Sequence, residues 1–254
     1  MTDRGLAELA QDLGDAWRRA VTVPAPSTLQ PSLTTEDAYA IQDLIIRKRI
    51  EEGRRIAGWK LGLTSSPPPV TPIVGTLLDD MVIPSGSELS LSTMVGPMVE
   101  AEVVVRIGEL LEDPRSAVEL AEGPHEIGPG MEVIDYRTTN SAGSIDWIAD
   151  NSTVAYAVVG DLAPVADLDP AQIESSLSQD GRHLASGRGD LVMGNPLEAV
   201  AWLSRHLVER GRPLQSGDVV LTGSLTGHHL VPSADVEFTA DFGSLGVVAV
   251  RFRP

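Results

Sequence analysis

The stretch Gly96–Gly108, GPMVEAEVVVRIG, constrains this chain more than any other. Val103, Val104, Val105 and Ile107 are β-branched, no proline interrupts them, and glycine stands at both ends, so a β-strand is expected over Met98–Ile107. Two carboxylates, Glu100 and Glu102, sit just before the valines with one residue between them. Residues i and i+2 of a strand point to the same face. Like charges side by side on one face repel unless something positive lies between them. Two readings stand at this point: a solvated outer face, or a pair of oxygen ligands for a hard divalent cation.

Before that strand the texture is helical. Leu6, Leu9, Leu13 and Trp17 recur at spacings of three and four, which predicts a helix over residues 5–20. A proline-containing linker runs from Val23 to Pro31. Thr34 followed by Glu36 and Asp37 has the signature of a helix start, an N-cap with acids in the first turn, and the helix continues to Gly53. From Ile56 onward short β-rich runs alternate with Gly and Pro. They are expected at Gly58–Leu63, Val82–Ile83, Met98–Ile107, Met131–Asp135, Ala155–Val159, Val219–Thr222, Val236–Asp241 and Gly246–Phe252. Only two later helices are expected, around Ser116–Glu122 and Pro196–Arg210. With no recurrent βαβ alternation, the fold class is α+β. A mixed or antiparallel β-roll or barrel spans residues 56–254, with a small helical N-terminal unit over residues 1–55 and peripheral helices.

Composition narrows the function classes. Of 254 residues, 36 are acidic and 19 basic, a formal charge of −17, and the basic residues form no dense patch, so nucleic-acid phosphates are a poor match. The chain has no cysteine, which removes disulfides, thiolate nucleophiles and Cys-ligated metals and fits a cytoplasmic location. The N-terminal residues are too charged for a signal peptide. No apolar run approaches the roughly 18 residues of a membrane helix.

Chemistry-bearing residues gather around the first strand. Glu132 is a single acid in the apolar run Met131–Asp135, and a buried carboxylate needs a partner. Arg137 would serve as an ion-pair partner; a third metal ligand is the other reading. Lys60 points away from Trp59, Leu61 and Leu63 in a strand with Gly58 and Gly62 on either side, which permits close backbone approach to a ligand. Asp79-Asp80 ends an apolar run as turn formers or as a site. Asp150-Asn151-Ser152-Thr153 suits a turn or a cluster of hydrogen-bonding groups. Ser186-Gly187-Arg188-Gly189 is expected to be a flexible loop with one cation. Gly223-Ser224 could offer backbone N–H groups to an anion. His125, His183, His228 and His229 lack metal spacing and are expected at the surface.

Taken in order, these blocks resemble the 2-oxopent-4-enoate hydratase/4-oxalocrotonate decarboxylase branch of the fumarylacetoacetate hydrolase family. The likeness runs through Gly58–Thr64, Gly75–Met81, Glu100-Ala101-Glu102, Glu132–Arg137, Ala149-Asp150-Asn151, Ser186–Gly189, Gly194–Leu203 and Gly217–Gly223. The resemblance implies Mg²⁺ or Mn²⁺ held by Glu100, Glu102 and Glu132, with a 2-oxo acid or its dienol as the substrate. It implies Lys60 as the acid/base group, neutral beside the ion, with Asp80 orienting it or a water. Leu63, Asp79, Asn151, Thr153, Arg188 and Ser224 would line the substrate. The implied reaction is hydration of a 2-hydroxy-2,4-dienoate to a 4-hydroxy-2-oxo acid in aromatic catabolism. Decarboxylation of a 2-oxo-3-enedioate, or a biosynthetic reaction on another 2-oxo or enol acid, is the alternative. A homo-oligomer, or an assembly with a homologous decarboxylase or hydratase subunit, is the implied form. Two departures stand out: the segment Thr64–Val74 is short and carries four prolines, and Ser152-Thr153 replace the family's usual pair after Asp-Asn. The His–Glu pair of the C–C bond hydrolases is missing beside the ligand residues.

Overall fold

A computed structural model describes residues 5–65, 71–141 and 143–254 of the chain. Residues 66–70, the middle of the proline-rich segment, lie outside the described residues. Two facing sheets form the body of the fold, with helices around them, and Val23–Pro24 pairs with Thr138–Thr139 in a third, two-stranded sheet. The larger is ordered Ile73–Leu78, Ile56–Gly62, Val219–Ser224, Met98–Arg106, Glu126–Ile134, Val154–Val159 and Val82–Pro84, with two short strands attached off this path. The smaller is ordered Arg182–Arg188, Glu174–Gln179, Val236–Asp241, Val247–Arg253 and Ser87–Ser90. Most neighbours are antiparallel; Val219–Ser224 runs parallel to Ile56–Gly62.

Period-2 alternation decides what lies between the sheets. Ala101, Val103 and Val105, with Met131 and Val133 of the next strand, join one apolar cluster with Phe238, Val248, Val250 and Phe252 of the smaller sheet. That packing turns Glu100, Glu102 and Glu132 to the opposite face. The helices Leu6–Arg19 and Thr35–Glu51 pack on each other. They share a second cluster with Ile73, Ile148 and Ala149, so the helical segment abuts the sheet edge near Lys60. Thr34 caps the second of them in a reciprocal capping box with Asp37.

Several elements differ from the sequence expectation. The helix Ser144–Ala149 was not expected; six residues are too few to display a helical period, and Gly143 caps it without a side chain. Among the described residues, three α-helices therefore follow the strand Ile56–Gly62 rather than two, and a short helix, Pro26–Leu29, lies in the expected linker. The strands Glu174–Gln179 and Arg182–Arg188 carry mostly polar residues, so period 2 is faint in them. The expected loop Ser186–Gly189 is in fact the end of that edge strand and the start of a 3₁₀ turn. Ile73–Leu78, wholly buried, also lacks alternation and contains Gly75. No helix among the described residues is long and apolar enough to cross a membrane.

Candidate metal centre and pocket

The antiparallel register sets Glu100 directly opposite Glu132 and Glu102 opposite Gly130. One oxygen from each of Glu100, Glu102 and Glu132 lies within 4.8 Å of the others. The three residues are 3%, 0% and 1% exposed, so water cannot screen their charges. Glu102 Oε2 accepts a 2.8 Å hydrogen bond from the Gly223 N–H, which aims its other oxygen at the cluster. Gly223 has φ +123°, and a Cβ there would meet Thr64 Oγ1 at 1.8 Å, so glycine is required.

Lys60 Nζ lies 3.0 Å from Glu132 Oε1, with both side chains buried. His228 Nδ1 rests against Glu100 Oε1. Burial pushes Glu132 up to about 7, aided by Glu100 and opposed by Lys60. Burial and the other two carboxylates push Glu102 well up. Burial works against the Lys60 ammonium, but Glu132, Glu100 and Glu102 outweigh it and raise its pKa. By themselves the three glutamates thus favour the Lys60 ammonium; the neutral amine that the resemblance implies belongs to the ion-bound site.

Three crowded, desolvated carboxylates against one lysine and one partly exposed histidine leave unmatched negative charge. Glu100 Oε1, Glu102 Oε1 and Glu132 Oε1 make no hydrogen bond of normal geometry. Glu102 Oε1 also lacks the cation that each of the other two touches. Buried carboxylates of this kind demand a partner. An all-oxygen donor set of this size, with room left for water and substrate, suits a hard divalent ion such as Mg²⁺ or Mn²⁺. The residues present fit such an ion.

A pocket of about 240 Å³ opens onto Lys60, Glu100 and Glu132. Its wall includes Leu63, Thr153 and Ser224 from the expected set, together with Ser152, Tyr136 and Trp147. The wall is built under backbone strain. Leu63, Asn151, Ser152 and Thr153 all have positive φ, from +50° to +63°. Side chains hold the Asn151–Thr153 turn: the Asn151 amide exchanges two hydrogen bonds with the Thr76 backbone, at 2.8 and 2.9 Å. Ser152 Oγ donates to Val74 O, and Gln42 Nε2 donates to Val74 O and Ile148 O. Arg137 Nε meets Asp150 Oδ1 at 2.7 Å, both buried. Gly75, across from Lys60, lets this turn approach: a Cβ there would sit 2.7 Å from Asn151 O and 3.1 Å from Lys60 Cγ.

Other expected residues fall elsewhere. Asp80 pairs with Arg49 at 2.6 Å and Arg54 at 3.2 Å, and Asp79 pairs with Arg55. Neither lines the pocket, because the turn after Leu78 carries them to the arginines at the end of the second helix and just beyond it. Arg188 pairs with Asp190 and lines a separate, open groove. Asn151 is fully buried with both ends of its amide engaged, so it shapes the wall rather than contacting ligand. Arg137 pairs with Asp150, not with Glu132. Two histidines expected at the surface are not free there. His228 joins the pocket against Glu100, and His125 is buried, with Nδ1 accepting from the Gly108 N–H. Sequence reasoning passed over His228, Tyr136 and Trp147 as site residues. The only signal was that His228 follows closely on Gly223-Ser224 and Tyr136 on Glu132.

Residues 54–252 match the family described as "Fumarylacetoacetate (FAA) hydrolase C-terminal". The chain is 31% identical to a 2-keto-4-pentenoate hydratase of Paraburkholderia xenovorans (strain LB400), over 100% of this chain and 97% of that one. It is 32% identical to a 4-oxalocrotonate decarboxylase of Pseudomonas putida, over 96% and 95%. Among solved structures, the 4-oxalocrotonate decarboxylase from Pseudomonas putida G7, complexed with magnesium and adipate, superposes with a TM-score of 0.91. That pair is 29% identical and covers 99% of this chain and 98% of that one. The buried glutamate triad on a curled mixed sheet, and full-length likeness at this level, lead to one conclusion: the chain belongs to the fumarylacetoacetate hydrolase family, in its 2-oxopent-4-enoate hydratase/4-oxalocrotonate decarboxylase branch.

Proposed function

We propose that this protein is a divalent-metal-dependent hydro-lyase that adds water to a 2-hydroxy-2,4-dienoate, through its 2-oxo tautomer, to give a 4-hydroxy-2-oxo acid. The observation that carries the reading is the buried triad Glu100, Glu102 and Glu132 with Lys60 Nζ 3.0 Å from Glu132, where Lys60, Glu100 and Glu132 line one pocket. When bound, Mg²⁺ or Mn²⁺ supplies a Lewis acid for the carboxylate and 2-oxygen of the substrate, where negative charge develops. The chain's residues do the rest. Tautomerisation needs a proton taken from the 2-hydroxyl and one delivered to the terminal carbon, and Lys60, buried beside Glu132, is the group that takes the first and gives the second. Water then adds at C4 of the 2-oxo-3-enoate. Leu63, Thr153 and Ser224 shape the pocket around the chain of the acid. Hydratases among the relatives support this, including a 2-hydroxyhexa-2,4-dienoate hydratase of Comamonas testosteroni at 33% identity.

A second reading, decarboxylation of a 2-oxo-3-enedioate, draws on the likeness to the decarboxylase structure. We place either activity in the cytoplasm, in aromatic catabolism, in a homo-oligomer or an assembly with a homologous subunit; light scattering of the purified protein measures the last. The deciding assay gives the protein 2-hydroxypenta-2,4-dienoate and 2-oxohex-3-enedioate separately, with Mg²⁺ or Mn²⁺ and with EDTA. Metal-dependent, EDTA-sensitive loss of the dienoate, with formation of 4-hydroxy-2-oxopentanoate, is expected. CO₂ release from the enedioate without hydration of the dienoate would favour the second reading, and no metal-dependent turnover of either acid would sink both.

A further inference from the structure

A nitrogen donor stands in line with the glutamates. Glu100 faces Glu132 across one pair of strands. On the other side of Glu100, the short strand His229-Leu230 pairs antiparallel with Val99 and Met98. That register, carried one residue back, sets His228 across from Glu100, on the face that Glu100 shares with Glu132. The side chain goes there: His228 Nδ1 touches Glu100 Oε1, and the ring lines the pocket beside Lys60, Glu100 and Glu132. Among the described residues lining the pocket it is the only imidazole. We propose that His228 is a fourth protein ligand of the ion, so that the centre prefers transition ions that accept imidazole, such as Mn²⁺ and Co²⁺, to Mg²⁺. This proposal rests on the glutamate-triad reading above and names the class of ion within it.

The chemistry of the donors decides the preference. Mg²⁺ binds through oxygen and keeps its waters. Imidazole suits first-row transition ions, and affinity rises from Mn²⁺ to Co²⁺. Three carboxylates alone do little to separate these ions; one nitrogen does. The loop gives the ring room to serve. The His228 side chain is 53% exposed and follows Gly227, whose φ is +71°. The backbone on either side is tied down. Gly227 N–H donates to Ser224 Oγ at 2.8 Å, and His229 Nε2 lies 3.2 Å from Thr226 O. The imidazole can therefore turn from Glu100 Oε1 toward a shared ion while the strands stay in place. Contact with Glu100 raises the His228 pKa, and coordination displaces that proton to solvent. A histidine that only oriented Glu100 would change the affinity of every divalent ion alike, whereas a ligand discriminates between them.

Calorimetric titration of the wild type, His228→Ala and His229→Ala with Co²⁺ and with Mg²⁺ tests this through binding alone. The wild type should bind Co²⁺ more tightly than Mg²⁺. His228→Ala should lose at least about tenfold in Co²⁺ affinity while Mg²⁺ affinity stays within about threefold. His229→Ala, which alters the neighbouring ring, should match the wild type for both ions. In the Mn²⁺-loaded protein, electron spin echo modulation from a coordinated nitrogen should be present in the wild type and lost in His228→Ala. If the ratio of Co²⁺ to Mg²⁺ affinity in His228→Ala stays within about twofold of the wild-type ratio, or the nitrogen modulation is unchanged, His228 is not a ligand and the glutamate-triad reading stands. If neither ion binds the wild type, both fall together.

Discussion

Arg137 and Asp150 form the buried pair on which the pocket wall is hung, and removing one of them should be costly in a specific way. Arg137 is 1% exposed and gives Asp150 three contacts: Nε to Oδ1 at 2.7 Å, backbone N to Oδ2 at 3.1 Å, and Nη2 to the backbone O at 2.9 Å. Asp150→Ala leaves the guanidinium buried with carbonyl oxygens and the Trp17 ring as its remaining partners. Breaking a buried pair in this way costs about 3–5 kcal/mol. For a chain of this size that is a fall in Tm of roughly 6–20 °C. Burial nevertheless lifts Asp150 to about 6 against the pull of Arg137, so the pair itself adds little net stability. The double variant Arg137→Met/Asp150→Ala should therefore recover most of the lost stability, because no charge is left unmatched. It should not recover activity, since Arg137 no longer pins the strained Asn151–Thr153 turn. Urea denaturation of the wild type, both single variants and the double variant, with activity measured on the folded fractions, checks all four states. A loss under about 1 kcal/mol for Asp150→Ala, or a double variant no more stable than the singles, would refute the reasoning.

Further outcomes follow from the acid cluster and the wall. Glu132 is raised from the ordinary 4.5 to about 7. A carboxyl with a raised native pKa holds its proton longer in the native state, so stability falls as pH rises from about 4.5 through 7, by about 3 kcal/mol for this group. Without added metal, Tm should drop over that window, and the upward shift caused by Mn²⁺ should grow with pH; a metal shift independent of pH would contradict the assignment. Lys60→Met should lower kcat about 10²–10⁴-fold, while Mn²⁺ titration shows affinity at least equal to wild type, because the lysine competes for Glu132. Asn151→Ala removes two buried hydrogen bonds and should cost about 2–4 kcal/mol in urea denaturation, with KM affected through the displaced Thr153.

The legible parts of this protein were those where a pattern and its physical cause coincide. The valines around Glu102 alternate between two packed faces, and the Thr34 cap has its reciprocal acid at Asp37, so strand and helix could be read from residues alone. The cross-strand meeting of Glu100 and Glu132 was legible only as acids in apolar runs, because register depends on both strands at once. What stayed hidden is tertiary in origin. The polar edge strands have weak alternation of their own. His228 is brought to Glu100 by a loop whose path no local signal encodes. Asp80 looked like a site residue beside an apolar strand, but three-dimensional packing gives it to Arg49 and Arg54. Asn151 looked like a ligand contact, whereas its amide is consumed in holding a strained turn.

The central claim is that Glu100, Glu102 and Glu132 hold one divalent ion at the pocket. Mn²⁺ binding, followed by electron paramagnetic resonance of the free ion, tests it most directly on wild type and on Glu102→Gln. The account predicts one ion per chain and an affinity lower by at least about a hundredfold in the variant, beyond what loss of an outer-shell partner costs. An affinity in Glu102→Gln within about twofold of wild type would contradict it.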